Sequence, residues 1–115
     1  MTKLSRRTIV IHGEAMGEGP PELGATLMGS FLRNLATSGR HPDTIVFYNS
    51  GVKLLLSPSA TAEPLRRLAA LGVDLVACGT CVAWFSLPPD ELVGRVGNMQ
   101  EIAAVLGESD VVVTL

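Results

Sequence analysis

Thr8-Ile9-Val10-Ile11 places the strongest constraint on this chain: four consecutive β-branched residues with no polar alternation, stopping at a glycine-rich stretch from Gly13 to Gly19. A strand carries apolar side chains at every position only when both of its faces are covered, as in a parallel sheet flanked by helices. Similar runs return at Thr44-Ile45-Val46-Phe47-Tyr48, at Val73-Asp74-Leu75-Val76-Ala77, and from Asp110 to Leu115. The segments between them read as helices. Pro20-Pro21-Glu22 offers proline and an acid at a helix start, and Leu23, Leu27, Phe31, Leu32 and Leu35 recur at helical spacing until Gly39. Ser59 or Thr61 can cap a second helix, with Pro64 in its first turn, Leu65, Leu68 and Leu71 along one face and Gly72 closing it. Val82 to Phe85 fits a short helix before Pro88-Pro89. Asn98 with Glu101 resembles a capping box for a helix carrying Ile102, Val105 and Leu106.

Strand, helix and strand in alternation predict an α/β fold, a small flavodoxin-like three-layer α/β/α sandwich with a mainly parallel sheet of four to five strands. The 115 residues give room for one domain, residues 1–115, with residues 1–7 expected to be a flexible amino terminus. In such sheets ligands gather at the carboxyl ends of the strands, so His12 to Gly19, Asn49 to Lys53 and Cys78 to Cys81 are expected to converge on one edge.

Composition narrows the partners. Nine Lys and Arg against eleven Asp and Glu, a formal charge of -2, leave no dense basic face for nucleic acid. At 47% hydrophobic and 17% charged residues, so small a body keeps apolar surface outside, and a homo-oligomer is expected. The apolar stretch from Leu71 to Leu87 is broken by Asp74 and by Cys78-Gly79-Thr80-Cys81, short of the ~20 residues of a membrane span. The run after Lys3, Arg6 and Arg7 is too short for the apolar core of an export signal. Two cysteines cannot build a multi-bridge disulfide framework, so they read as thiols in a reducing compartment, the cytoplasm by default.

Those thiols carry the chemistry. Cys78 ends a strand and leads into a short helix whose free amides, including those of Thr80 and Cys81, could favour its thiolate; it is the candidate nucleophile. Gly79 permits close backbone approach, and Cys81 is placed to receive sulfur, release it, or close a disulfide. The competing reading is a pair of small buried hydrophobes. Zinc is disfavoured because a structural site takes four ligands and His12 and His41 fall at opposite ends of the βα units; no metal and no cofactor are expected. A thioredoxin-like redox motif would follow the first strand rather than the third. Gly13, Gly17 and Gly19 hint at a phosphate cradle, but Glu14 and Glu18 would repel an anion. His12 could act as a base near the thiol and Lys53 could hold a thiolate or persulfide, each with a plain alternative as packing or solvated side chain. Trp84 and Phe85 read as core or subunit contacts rather than a substrate platform.

Taken together, several motifs resemble the DsrE/DsrF-like family, most closely the carboxyl-terminal domain of its YedF-type members. They are Gly17-Glu18-Gly19, Glu22-Leu23-Gly24, Phe31-Leu32, Phe47-Tyr48-Asn49-Ser50-Gly51-Val52, Cys78-Gly79-Thr80-Cys81, Val93-Gly94 and Asn98-Met99. The resemblance implies a small α/β domain that assembles as a trimer or hexamer and carries sulfur as a cysteine persulfide. It maps the sulfur-accepting cysteine to Cys78, with Cys81 the second cysteine of the Cys-Gly-Thr-Cys subgroup. YedF-type proteins usually carry a TusA-like domain before this one, absent from this sequence, so the implied sulfur donor is a separate TusA-like protein. Family members also often have glycine near position 86, where this chain has Ser86. The sequence therefore predicts a sulfur-relay carrier or sulfurtransferase-like protein, with Gly79, Thr80, His12, Asn49 and Lys53 supporting Cys78 and Cys81. The rivals are a dithiol redox protein and a non-enzymatic oligomeric binding module.

Overall fold

The computed structural model describes residues 5–57 and 59–115. Five strands, β1 (Arg7–Ile11), β2 (Thr44–Phe47), β3 (Asp74–Cys78), β4 (Arg95–Gly97) and β5 (Val111–Thr114), form one sheet in the order β4-β3-β2-β1-β5. All four pairings are parallel, with Ile9 beside Ile45 and Ile45 beside Leu75. The helices are α1 (Pro21–Thr37), α2 (Ala62–Ala70), α3 (Gly79–Trp84) and α4 (Met99–Glu108). Among the described residues none of them is long and apolar enough to cross a membrane.

Strand side chains alternate between two buried layers. Ile9, Ile11, Ile45, Phe47, Leu75 and Ala77 meet Met28 and Leu32 of α1 and Leu65 and Leu68 of α2 in the larger core. Val46, Val76 and Cys78 face the other way and meet Ile102 of α4. Burial on both faces explains the unbroken apolar runs of the central strands, and the three-layer α/β/α sandwich follows from it.

Several local expectations change. Helix α1 buries Gly24, Met28, Leu32 and Ala36, while Leu23 and Leu27 stay 54% and 44% exposed, so its core face is turned one residue from the predicted stripe. The cause is the preceding loop: Met16 N–H donates to the Gly24 carbonyl, and a Cβ at Gly24 would lie 2.5 Å from that of Ala15. The glycine-rich stretch thus packs on α1. In α2, Leu71 likewise lies beyond the last turn and is exposed. Its amino terminus is pinned by Thr61, whose hydroxyl donates to the Leu54 carbonyl at 2.8 Å. The Asn49-Ser50-Gly51 turn proves to be the start of a 3₁₀ segment, Asn49–Leu55.

Strand β4 was not foreseen. It is held where Arg95 places a fork on Asp74, Nε to Oδ1 at 2.8 Å and Nη2 to Oδ2 at 2.9 Å, and also bonds Glu101 of α4. The Arg95 hydrogen bond holds the Glu101 carboxyl below its ordinary range. The Asn98 half of the expected capping box forms, its side chain accepting from Glu101 N–H at 2.8 Å, while the Glu101 carboxylate turns to Arg95. Of the expected flexible terminus, residues 1–4 lie outside the described residues. Arg6 and Arg7 are held by backbone N–H bonds to Asp110 and Asp43.

Gly51 fixes how the end of β2 sits on the end of β1. A side chain there would collide with the Ile11 carbonyl oxygen, whereas a Cβ at Gly13 meets only Ser50 Oγ at 3.8 Å. Gly51→Ala is expected to lower unfolding stability by about 1–3 kcal/mol, and Gly13→Ala to leave it nearly unchanged, both read from urea denaturation.

Candidate functional site

Because β1, β2 and β3 run parallel, their carboxyl ends bring Ile11, Phe47 and Cys78 to the same edge of the sheet. The chain leaves β2 through Tyr48 into Asn49, which takes φ 52°, a left-handed conformation that asparagine tolerates better than most residues. Its own Oδ1 accepts from Ser50 N–H at 2.8 Å and steadies that turn. So held, the Asn49 backbone N–H donates to the Sγ of Cys81 at 3.0 Å.

Cys81 occupies the first turns of α3, three residues after Cys78, which ends β3 and serves as the helix cap. Both are free thiols. Their surroundings differ. Cys78 is only 2% exposed, packed with Val46, Val76 and Ile102, while Cys81 is half-buried and lines a cavity. Desolvation pushes the Cys81 thiol above its ordinary range, and a hydrogen bond with the Cys78 side chain adds to the rise; the Asn49 amide acts in the opposite direction.

The cavity, of about 570 Å³, opens between α3 and α4 at the carboxyl edge of the sheet. Its walls come from Tyr48 and Asn49, from Thr80, Cys81, Trp84 and Phe85, and from Met99, Ile102, Ala103 and Leu106. Met99, Ile102, Ala103 and Leu106 recur at three- and four-residue spacing and so share one face of α4. The short α3 ends where Ser86 adopts φ 53°, the left-handed region that glycine fills without strain.

Of the predicted site residues, Cys81, Asn49 and Thr80 meet at this cavity. Cys78 lies beneath it, and its accessibility is far lower than a nucleophile open to solvent requires. Gly79 serves packing: a Cβ there would press on the Gly97 carbonyl at 3.1 Å. His12 stacks on Tyr48 with ring centroids 6.3 Å apart, one step back from the cavity wall. Lys53 places its Nζ 4.4 Å from the centre of the Phe85 ring, so its cation is engaged with an aromatic face rather than with either sulfur. Trp84 is 80% exposed and lines the cavity, while Phe85, half-buried, lines it and also packs against the main core as expected. The α4 wall was missed altogether. Met99, apolar and directly after the Asn98 cap, is the signal that could have shown it, since a helix start is normally wet.

Comparison with known proteins agrees with this architecture. Three solved structures share the fold: the YchN protein from E. coli, with TM-score 0.70 at 18% identity over 97% of this chain and 100% of that one; MTH1491 from Methanobacterium thermoautotrophicum, 0.69 at 20% over 96% and 99%; and BT1422 from Bacteroides thetaiotaomicron, 0.68 at 13% over 99% and 100%. No curated protein sequence matches the chain. The model of the DsrE/DsrF-like family matches residues 14–115, which hold strands β2 to β5 and all four helices, and the chain belongs to that family.

Proposed function

We propose that this protein is a sulfur carrier that holds sulfane sulfur as a persulfide on its thiol pair, with Cys81 as the point of entry and Cys78 as the partner behind it. One observation carries the reading: Cys81 lines an open cavity, its sulfur receives the Asn49 amide at 3.0 Å, and Cys78 stands three residues before it at the end of β3. This reverses the order of the two thiols read from the sequence, because burial shields Cys78.

In the loading step the Cys81 thiolate attacks the outer sulfur of a donor persulfide. A new bond joins Cys81 Sγ to that sulfur, the donor's S–S bond breaks, and its electron pair leaves on the donor thiolate. Desolvation lowers the fraction of Cys81 that is ionised, yet a thiolate of higher pKa is the stronger nucleophile, and the Asn49 N–H steadies its negative form. For discharge, Cys78 can attack the sulfur of Cys81 bound to the protein, closing a Cys78–Cys81 disulfide and releasing hydrosulfide, or an acceptor can take the outer sulfur directly. The neighbouring thiols equally support dithiol redox cycling. That reading gains ground if the disulfide forms reversibly with no sulfur ever carried.

Assembly belongs to the same proposal. Strand β5 forms an edge of the sheet, and Val111, Val112 and Val113 are all exposed, an arrangement that invites pairing with a further chain. This edge supports self-association, while the trimer or hexamer and the separate TusA-like sulfur donor follow from the family resemblance.

Incubation with a persulfide donor, followed by intact-mass measurement, is expected to show a gain of one sulfur in wild type, its loss in Cys81→Ser, and its retention with slower discharge in Cys78→Ser. Alkylation of Cys81 by neutral iodoacetamide, followed by peptide mass from pH 6 to 11, is expected to reach half its maximal rate above the ~8.5 of a free cysteine. The sign follows from the raised thiol: protonation persists to higher pH, and reactivity climbs as it is lost. Val112→Lys, which sets a charge on the edge strand, is expected to shift the species seen by light scattering towards the monomer.

A further inference from the structure

The cavity beside Cys81 is chemically one-sided. None of the described residues that line it carries a charge. The chain has three Phe, one Tyr and one Trp, and three of these five aromatics, Tyr48, Trp84 and Phe85, stand in its walls with Met99 and Leu106 opposite. Its volume of about 570 Å³ falls within the ~300–1,000 Å³ of small-molecule sites, and it is open to solvent. A reactive group sits in the wall, since the Cys81 sulfur lies there under the Asn49 amide. Into such a space an apolar ring brings favourable burial and stacking, while a carboxylate or ammonium group would lose its water without gaining an opposite charge.

We propose that this cleft binds an uncharged, aromatic or otherwise apolar organosulfur compound and presents its sulfur–sulfur bond to Cys81, discriminating against charged peptide thiols and disulfides of the glutathione kind. The assignment rests on the carrier reading and adds its substrate class. With a disulfide R–S–S–R, the Cys81 thiolate attacks one sulfur; the Cys81–S bond forms, the S–S bond breaks, and the second R–S leaves with the electron pair and takes up the proton that Cys81 released. With a persulfide the outer sulfur stays on Cys81 and R–S leaves in the same way.

The test uses the Cys78→Ser protein, in which Cys81 is the one remaining thiol. Its rates with neutral dipyridyl disulfide and with oxidised glutathione are each divided by the rate of the same chain unfolded in urea, which removes the intrinsic reactivity of each reagent. The folded protein is expected to favour the neutral reagent by at least about tenfold over the unfolded chain, a difference of ~1.4 kcal/mol. Met99→Lys, at a position 54% exposed and therefore outside the core, is expected to erase most of that preference by placing a cation at the mouth. An equal ratio in folded and unfolded chains overturns the proposal.

A second measurement needs no reaction. In the Cys78→Ser/Cys81→Ser protein, dipyridyl disulfide is expected to quench Trp84, the single tryptophan, saturably, and oxidised glutathione is not. Linear quenching without saturation overturns the proposal. So does a Trp84 emission that responds to protein concentration and not to ligand, which assigns the cleft to a second copy of the chain. Sulfur uptake without selectivity removes the cleft assignment alone; selectivity without uptake upholds the cleft and removes the carrier reading.

Discussion

Strands β1, β2 and β3 pair in parallel and in register, Thr8 beside Thr44 and Thr44 beside Asp74, and this pairing dictates where the remaining parts can lie. Parallel strands must be joined by crossovers, so helices cover both faces and the carboxyl ends share one rim. Everything with chemical interest sits on that rim: the left-handed Asn49, the thiol pair and the aromatic residues of α3. Gly51 belongs to the same constraint, since only a residue without a side chain lets the exit of β2 settle on the Ile11 carbonyl.

The two faces of the sheet are unequally filled, and the chemistry lies on the thinner side. One face is covered by α1 and α2 over a large core; the other meets α4 through Val46, Val76, Cys78 and Ile102. Strand alternation sends Cys78 into this second layer, where it is sealed, while Cys81, one helical turn onward, emerges at the cavity. Identical thiols three residues apart thereby acquire different access, a division of labour made by packing alone.

Much of this could be read from residue order because the governing signals are local. Unbroken β-branched runs, Pro20-Pro21-Glu22 and the Asn98–Glu101 cap depend on neighbours in sequence, and the corresponding elements appear. The departures depend on how the elements pack on one another. Leu23 and Leu27 look like core until the loop containing Ala15 docks at Gly24 and turns the helix. Arg95–Gly97 has no apolar pattern, and its place in the sheet comes from Asp74, 21 residues back, and from Glu101 on the helix that follows. Lys53 looks like a cation for a thiolate until Phe85 is found under it. Spacing put both cysteines at the strand end, but which of them sees solvent depends on α4, and α4 carried no mark of lining a cavity beyond Met99.

Ser86 has a consequence of its own. It holds a backbone angle of 53° directly after the aromatic pair of α3, with its N–H bonded to the Ala83 carbonyl at 3.0 Å. A serine in this region sits uphill of a glycine by an amount of order 1–3 kcal/mol, so the peptide here is a loaded joint rather than a relaxed one. Trp84 and Phe85 stand directly before this turn, so its conformation sets where the aromatic wall of the cavity ends. Residue 86 thus marks, by a single dihedral, the point at which the aromatic wall gives way to the loop leading to Pro88-Pro89.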